Sequence, residues 1–210
     1  MPRSARYWLA LMLATALLAV LDWGYRSQQL SRPAPALPPA QWLEVGDWVF
    51  RSGTSQESLL IRQLSHSRYS HIGMVVETSP EVWVVHASTD DDPARPDQVL
   101  LSTLTEFAAA EHAEAIAVAR PRFLSREQRI QTALHMRQRV GERFVLAARN
   151  KPHRYCTTLL RDAIRTQQAD FELPWYRLDI ALFEGEYLMP QRFAEADIQW
   201  VFAADTPSRQ

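Results

Sequence analysis

Residues 70–87 read Ser-His-Ile-Gly-Met-Val-Val-Glu-Thr-Ser-Pro-Glu-Val-Trp-Val-Val-His-Ala, and the fold turns on this stretch. Two runs rich in β-branched residues, Ser70–Val76 and Val82–Ala87, flank a Pro-containing turn, which is the pattern of an antiparallel hairpin. Each run carries one histidine, His71 and His86, inside an apolar segment where a polar ring costs stability unless it is paired. Pairing parity decides whether the rings meet. A four-residue loop over 77–80 sets Val76 against Glu81 and His71 directly opposite His86. A three-residue loop sets His71 opposite Ala87 and turns His86 to the other face. A shared site requires the even loop or a compensating bulge.

Working outward, Val45–Phe50 reads as a short strand entered through Gly46-Asp47. Thr54 with Glu57 forms a capping box for a helix to about Leu64. Residues 88–97 form a polar loop whose Asp90, Asp91 and Asp92 read as solvated, since no EF-hand spacing follows. A strand at Val99–Leu101, a short helix from Thr103 with Glu106 as cap, and a strand at Ala115–Ala119 come next. Ser125 with Gln128 opens a helix bearing Ile130, Ala133, Leu134 and Val140, its arginines on a solvated face, with Gly141 as the stop. A further helix starts near Tyr155-Cys156 and carries Leu159, Leu160, Ala163 and Ile164. Ile198–Ala203 closes the chain's last sheet position. The mixed order predicts an α+β fold, an antiparallel sheet packed against helices.

The first forty residues differ from the rest. Arg3 and Arg6 precede an uncharged run from Tyr7 to Leu21, closed by Asp22, with Trp8, Trp23 and Tyr25 at the ends. Small residues are missing where a signal peptidase would need them, so residues 1–25 read as a retained signal anchor, a transmembrane helix, rather than a cleaved signal peptide. The basic residues on the short side put the N-terminus in the cytoplasm and the body across the inner membrane; a cleaved signal would leave it periplasmic. Residues 26–40 form a Pro-rich linker. Residues 41–210 then make one domain of 170 residues, with 19 basic and 23 acidic side chains. The whole chain is 47% hydrophobic with a net charge of -1, so it buries a core and has no electrostatic footprint for nucleic acid. Arginine supplies 22 of the 23 basic residues, which we read as genomic composition.

Cys156 is the single cysteine, so there is neither an intramolecular disulfide nor a Cys-rich zinc module. At a helix N-terminus it faces unpaired N–H groups and the positive end of the dipole, which favour thiolate. A cysteine nucleophile needs a base and a group that orients the base. His71 and His86 fill those roles on the hairpin, whereas His66, His112, His135 and His153 lie in polar or helical surroundings. Cys156 attacks a carbonyl carbon, His71 takes and returns the proton, and His86 orients the His71 ring. The Cys156 N–H and one further donor, with Tyr155 as candidate, hold the oxyanion. A zinc site from His66, His71, His86 and Cys156 finds no support in the spacing; no metal and no cofactor are expected.

Four segments carry a resemblance: Gly46-Asp47-Trp48-Val49-Phe50, Tyr69-Ser70-His71-Ile72-Gly73-Met74-Val75, Val84-Val85-His86-Ala87, and Tyr155-Cys156-Thr157-Thr158-Leu159-Leu160. Together they resemble the YiiX/YaeF-like family of circularly permuted papain-like hydrolases, in the NlpC-type superfamily and related to lecithin retinol acyltransferase. The resemblance spans residues 44–203. It implies a permuted papain-like fold and a thiol hydrolase or acyltransferase that cleaves an amide or ester through an acyl-Cys intermediate. Peptidoglycan peptides, lipids and lipidated proteins are the implied substrates. A catalytically silent envelope binding module of the same fold is the alternative. Two departures stand out: His86 where such members often have Glu, and Thr157-Thr158 where Ser-Glu follows the cysteine.

Overall fold

The computed structural model describes residues 32–180 and 183–203, and the predicted membrane helix at residues 1–25 lies outside them. No helix among the described residues is long and apolar enough to cross a membrane. Six strands form one sheet: β1 (Trp48–Gly53), β2 (His71–Glu77), β3 (Trp83–Ser88), β4 (Gln98–Thr103), β5 (Ala113–Pro121) and β8 (Ile198–Ala203). Their order is β4-β3-β2-β1-β5-β8, and every neighbouring pair is antiparallel. A separate hairpin pairs β6 (Tyr176–Ile180) with β7 (Phe183–Tyr187). The helices are α1 (Gln56–Leu64), α2 (Leu104–Phe107), α3 (Arg126–Gln138), α4 (Cys156–Arg165) and α5 (Pro190–Ala194). The α+β class and antiparallel sheet agree with the sequence reading.

The Gly46-Asp47 entry to β1 is a built corner. Gly46 adopts φ +93°, and a Cβ there would lie 2.4 Å from Cβ of Arg129. Asp47 is fully buried: its carboxylate accepts from the Glu44 N–H at 2.8 Å and from Arg120 Nε at 2.7 Å. Arg129, expected on a solvated face of α3, is instead buried against this corner and ion-paired to Glu44. The α1 cap is Ser55, which accepts from the Ser58 N–H, and not Thr54, whose hydroxyl donates to the Glu111 carbonyl. The capping boxes at Thr103/Glu106 and Ser125/Gln128 are present as read.

Side-chain alternation sorts the sheet into two faces. Trp48, Phe50, Ile72, Met74, Val85 and Ala87 pack beneath α3 and α4, with Leu160 and Ile164 fully buried among them. Burial of each of the larger aliphatic side chains among them is worth about 1.5–3 kcal/mol. Val49, Val75, Val84, Ile116 and Val118 line the other face, which Leu104 and Phe107 of α2 cover.

The β2–β3 hairpin corrects the expected register. Glu77 pairs with Trp83, a parity that would send the two histidines to opposite faces. A bulge between Val75 and Glu77 shifts the ladder, so that Val75 pairs with Val84 and Met74 with Val85. Parity is restored, but His86 stands beside Gly73 and not directly across from His71. A Cβ on Gly73 would lie 2.6 Å from Cγ1 of Val84 and 3.2 Å from Cβ of His86.

Candidate active site

His71 opens β2 and His86 lies near the end of β3. Their rings meet edge to face, with centroids 5.2 Å apart, and His71 Nε2 lies 3.0 Å from His86 Nδ1. His86 is fully buried and its Nε2 is 3.1 Å from Ser102 Oγ on β4. Both rings pack on Phe107 of α2. The predicted pair therefore forms, diagonally, and it leaves His71 Nδ1 without a partner among the described residues. Burial, reinforced by the Arg51 charge, holds His71 well below the ordinary imidazole range. Burial likewise takes His86 down to about 4, against the opposing pull of Asp91. Both rings are neutral at pH 7.

Asp91 departs from the sequence reading. The loop after β3 folds back and buries this carboxylate, whose side chain is 8% exposed, while Asp90 and Asp92 stay at the surface. Arg51 of β1 grips it with two bonds, Nη1 to Oδ2 at 2.6 Å and Nη2 to Oδ1 at 2.9 Å. Nη1 also donates to the Phe107 carbonyl at 3.0 Å, and the guanidinium lies over the Phe107 ring. Asp91 Oδ2 sits 3.6 Å from His86 Nδ1, and Oδ1 lies 3.9 Å from His112 Nδ1. Arg51 holds the Asp91 carboxyl far below the usual carboxylate range in spite of its burial. His71, His86 and Asp91 bring one donor atom each within 4.8 Å of one another. His66, by contrast, lines a separate cleft with Tyr69 and Trp200.

Cys156 is the first residue of α4 and is 8% exposed. It lines an open apolar cavity together with Leu60, Ile61, Leu64, Leu178, Phe183 and Leu188. Its sulfur meets the N–H of Ile72, the residue after His71, where the recorded β2–β3 pairing has already ended at Met74. No hydrogen bond joins the sulfur to the His71 ring: the imidazole turns toward Phe107 while Cys156 belongs to the α4 face. The helix-start position was expected to favour thiolate. Burial among apolar walls outweighs the N–H groups of Ile72 and Thr157, and the thiol is pushed up to about 11.

The residues flanking the cysteine have structural tasks. Tyr155 Oη accepts from the Leu188 N–H at 2.9 Å, so this oxyanion candidate braces α4 against the segment after β7. Thr157 Oγ1 donates to the Leu188 carbonyl at 2.7 Å, and Thr158 Oγ1 accepts from the Tyr155 N–H at 3.0 Å. Those bonds account for threonine at both positions. Arg51, Asp91 and Ser102 were not picked out in the sequence. A charged residue amid Val49 and Phe50 is the signal that would have found Arg51.

No family model and no curated protein matches the chain. Among solved structures it is similar to the metalloprotein yiiX from Escherichia coli O157:H7, at 21% identity and a TM-score of 0.63, over 78% of this chain and 98% of that one. The domain thus shares the yiiX fold, as the four segments implied.

Proposed function

We propose that the chain is a thiol hydrolase or acyltransferase of the permuted papain-like type, held at the envelope face of a membrane by residues 1–25, and that its substrate carries an aliphatic acyl group. The supporting observation is the seat of Cys156: a nucleophilic atom at a helix start, lining an apolar cavity, against the backbone of the strand that begins with His71. Aliphatic and aromatic walls suit an acyl chain better than a peptidoglycan peptide, whose polar groups would go unpaired there.

Both partners start neutral, so the proton moves with the attack. The sulfur bonds to the carbonyl carbon as its proton passes to His71 Nδ1, and the Cys156 N–H faces the oxyanion. His71 then gives the proton to the departing alcohol or amine, leaving an acyl thioester for water or a second nucleophile to cleave. The step requires the sulfur and His71 Nδ1 to come into line in the substrate complex, where catalytic hydrogen bonds of this kind tighten.

The yiiX structure is described as a metalloprotein, and the donor set here fits a cation poorly. Both Asp91 oxygens are taken by Arg51, and both His86 nitrogens by His71 and Ser102. A divalent ion would compete with those bonds beside a guanidinium. No step is assigned to a metal.

The test uses p-nitrophenyl octanoate. Wild type is expected to accumulate an octanoyl adduct on the Cys156 peptide, read by mass spectrometry. His71→Ala should slow its formation about 10²–10⁴-fold, and Cys156→Ala should abolish it. Undiminished turnover in Cys156→Ala would sink the proposal, and octanoate binding without any adduct in wild type would favour the silent binding module.

A further inference from the structure

The catalytic reading uses Cys156, His71 and His86, and leaves a buried carboxylate and a buried hydroxyl beside them without a task. We propose two positioning residues: Ser102, which through His86 holds His71 with its proton on Nε2 and its Nδ1 lone pair free, and Asp91, whose carboxylate offsets the charge that His71 takes up. This rests on the reading of His71 as the base.

His71 Nε2 and His86 Nδ1 are 3.0 Å apart, so one nitrogen donates and the other accepts. A base at Nδ1 must carry its resting proton on Nε2, which makes His86 Nδ1 the acceptor. His86 then bears its own proton on Nε2, and Ser102 Oγ at 3.1 Å is the acceptor waiting for it. Reversing either bond would put a proton on His71 Nδ1 and remove the base.

Asp91 answers a different need. A neutral His86 orients His71 but brings no charge to offset the imidazolium that forms when the thiol proton arrives. The Asp91 carboxylate lies 3.6 Å from His86 Nδ1, the nitrogen that receives the His71 Nε2–H, and stays ionised because Arg51 holds both of its oxygens. The anion therefore lies beside the same nitrogen that the N–H of the developing cation reaches. The guanidinium keeps the carboxylate rigid and sets it there, with Phe107 closing the far side. Other groups facing this cluster are His112 beside Asp91 and the Phe107 ring against both imidazoles.

Two-bond ¹H–¹⁵N spectra of histidine-labelled protein at pH 7 read the tautomer ring by ring, whether or not the chain is a catalyst. Wild type is expected to show the Nε2–H form for both His71 and His86. Ser102→Ala removes one hydroxyl from a strand and should leave the fold intact while turning His86 into a mixture of both forms. With p-nitrophenyl octanoate, Asp91→Asn should lower kcat by about 10²-fold, within the range of general-base catalysis, with KM unchanged because Asp91 lies outside the cavity. Asp91→Glu should recover part of the loss. A wild-type His71 carrying its proton on Nδ1, a His86 tautomer indifferent to Ser102→Ala, or an unchanged kcat in Asp91→Asn would each overturn the proposal. The tautomer outcomes stand whatever the result for Cys156→Ala, and the kcat outcome is read where wild type turns the ester over, so the two readings fail separately.

Discussion

The face of the sheet under α3 and α4 is held by carbon, with one sulfur at its margin; the face under α2 holds two imidazoles, a guanidinium and a carboxylate, all buried. Leu160 and Ile164 gain by leaving water. Arg51 and Asp91 lose hydration and recover it through each other, with the Phe107 carbonyl taking a further Arg51 N–H. The first kind of burial tolerates neighbours of about the right size, whereas the second demands a particular partner at a particular distance. That difference explains why the polar face can fix a ring orientation and why the apolar face can offer a cavity.

The largest expected effect on stability breaks the polar face at its anchor. Arg51→Met strands the Asp91 carboxylate and should cost about 3–5 kcal/mol in urea unfolding at pH 7. The deficit should narrow on acidification, because His86 can then take a proton beside Asp91. A deficit that is the same at pH 7 and pH 5 would mean that His86 and Asp91 are not coupled.

Acid should expose the same face in the wild type. The native state holds His71 and His86 neutral, while the unfolded chain protonates each ring below about pH 6.5. Stability is full above that point and drains as pH falls through the lowered native values. His86, at about 4, accounts for roughly 3 kcal/mol of the loss. Alanine or asparagine at His86 should flatten the decline between pH 6.5 and 4 in a thermal-melt series.

Alkali should act on the other face, and more weakly. A thiol raised to about 11 stays protonated in the native state after the unfolded chain has begun to ionise near pH 8.5, so stability drains from there up to the native value. Cys156 contributes roughly 2–3 kcal/mol by pH 11, and Cys156→Ala should remove that share while leaving the acid decline untouched. An alkaline slope identical in the variant would show that the sulfur is not buried as described.

The sequence was most readable where chemistry interrupts a pattern. His71 and His86 break apolar strands, and Cys156 has no second cysteine to pair with. The bulge that brings the histidines together was foreseen only as a possibility, because loop length and bulge position are set by tertiary contacts. Asp91 was illegible: it is the middle of three aspartates, and its burial depends on Arg51 forty positions earlier. The β6–β7 hairpin and α5 went unassigned because their strands are five residues long and mostly exposed, with Leu178 and Tyr187 as the buried points. The cavity wall that these elements supply was therefore invisible too. Helix caps at Thr103 and Ser125 were legible because capping is a local bond; Thr54 was misread because a hydroxyl can also find a distant carbonyl.

Gly73 gives the hairpin's spacing a steric meaning. The histidine two places before it contributes a ring, and the glycine contributes the missing methyl that lets the neighbouring strand come alongside at Val84–His86. Anyone scanning genomes for chains with this arrangement should count that empty position as a member of the constellation, since a filled one would crowd Val84 and the Val85 carbonyl and press on the Cβ of His86.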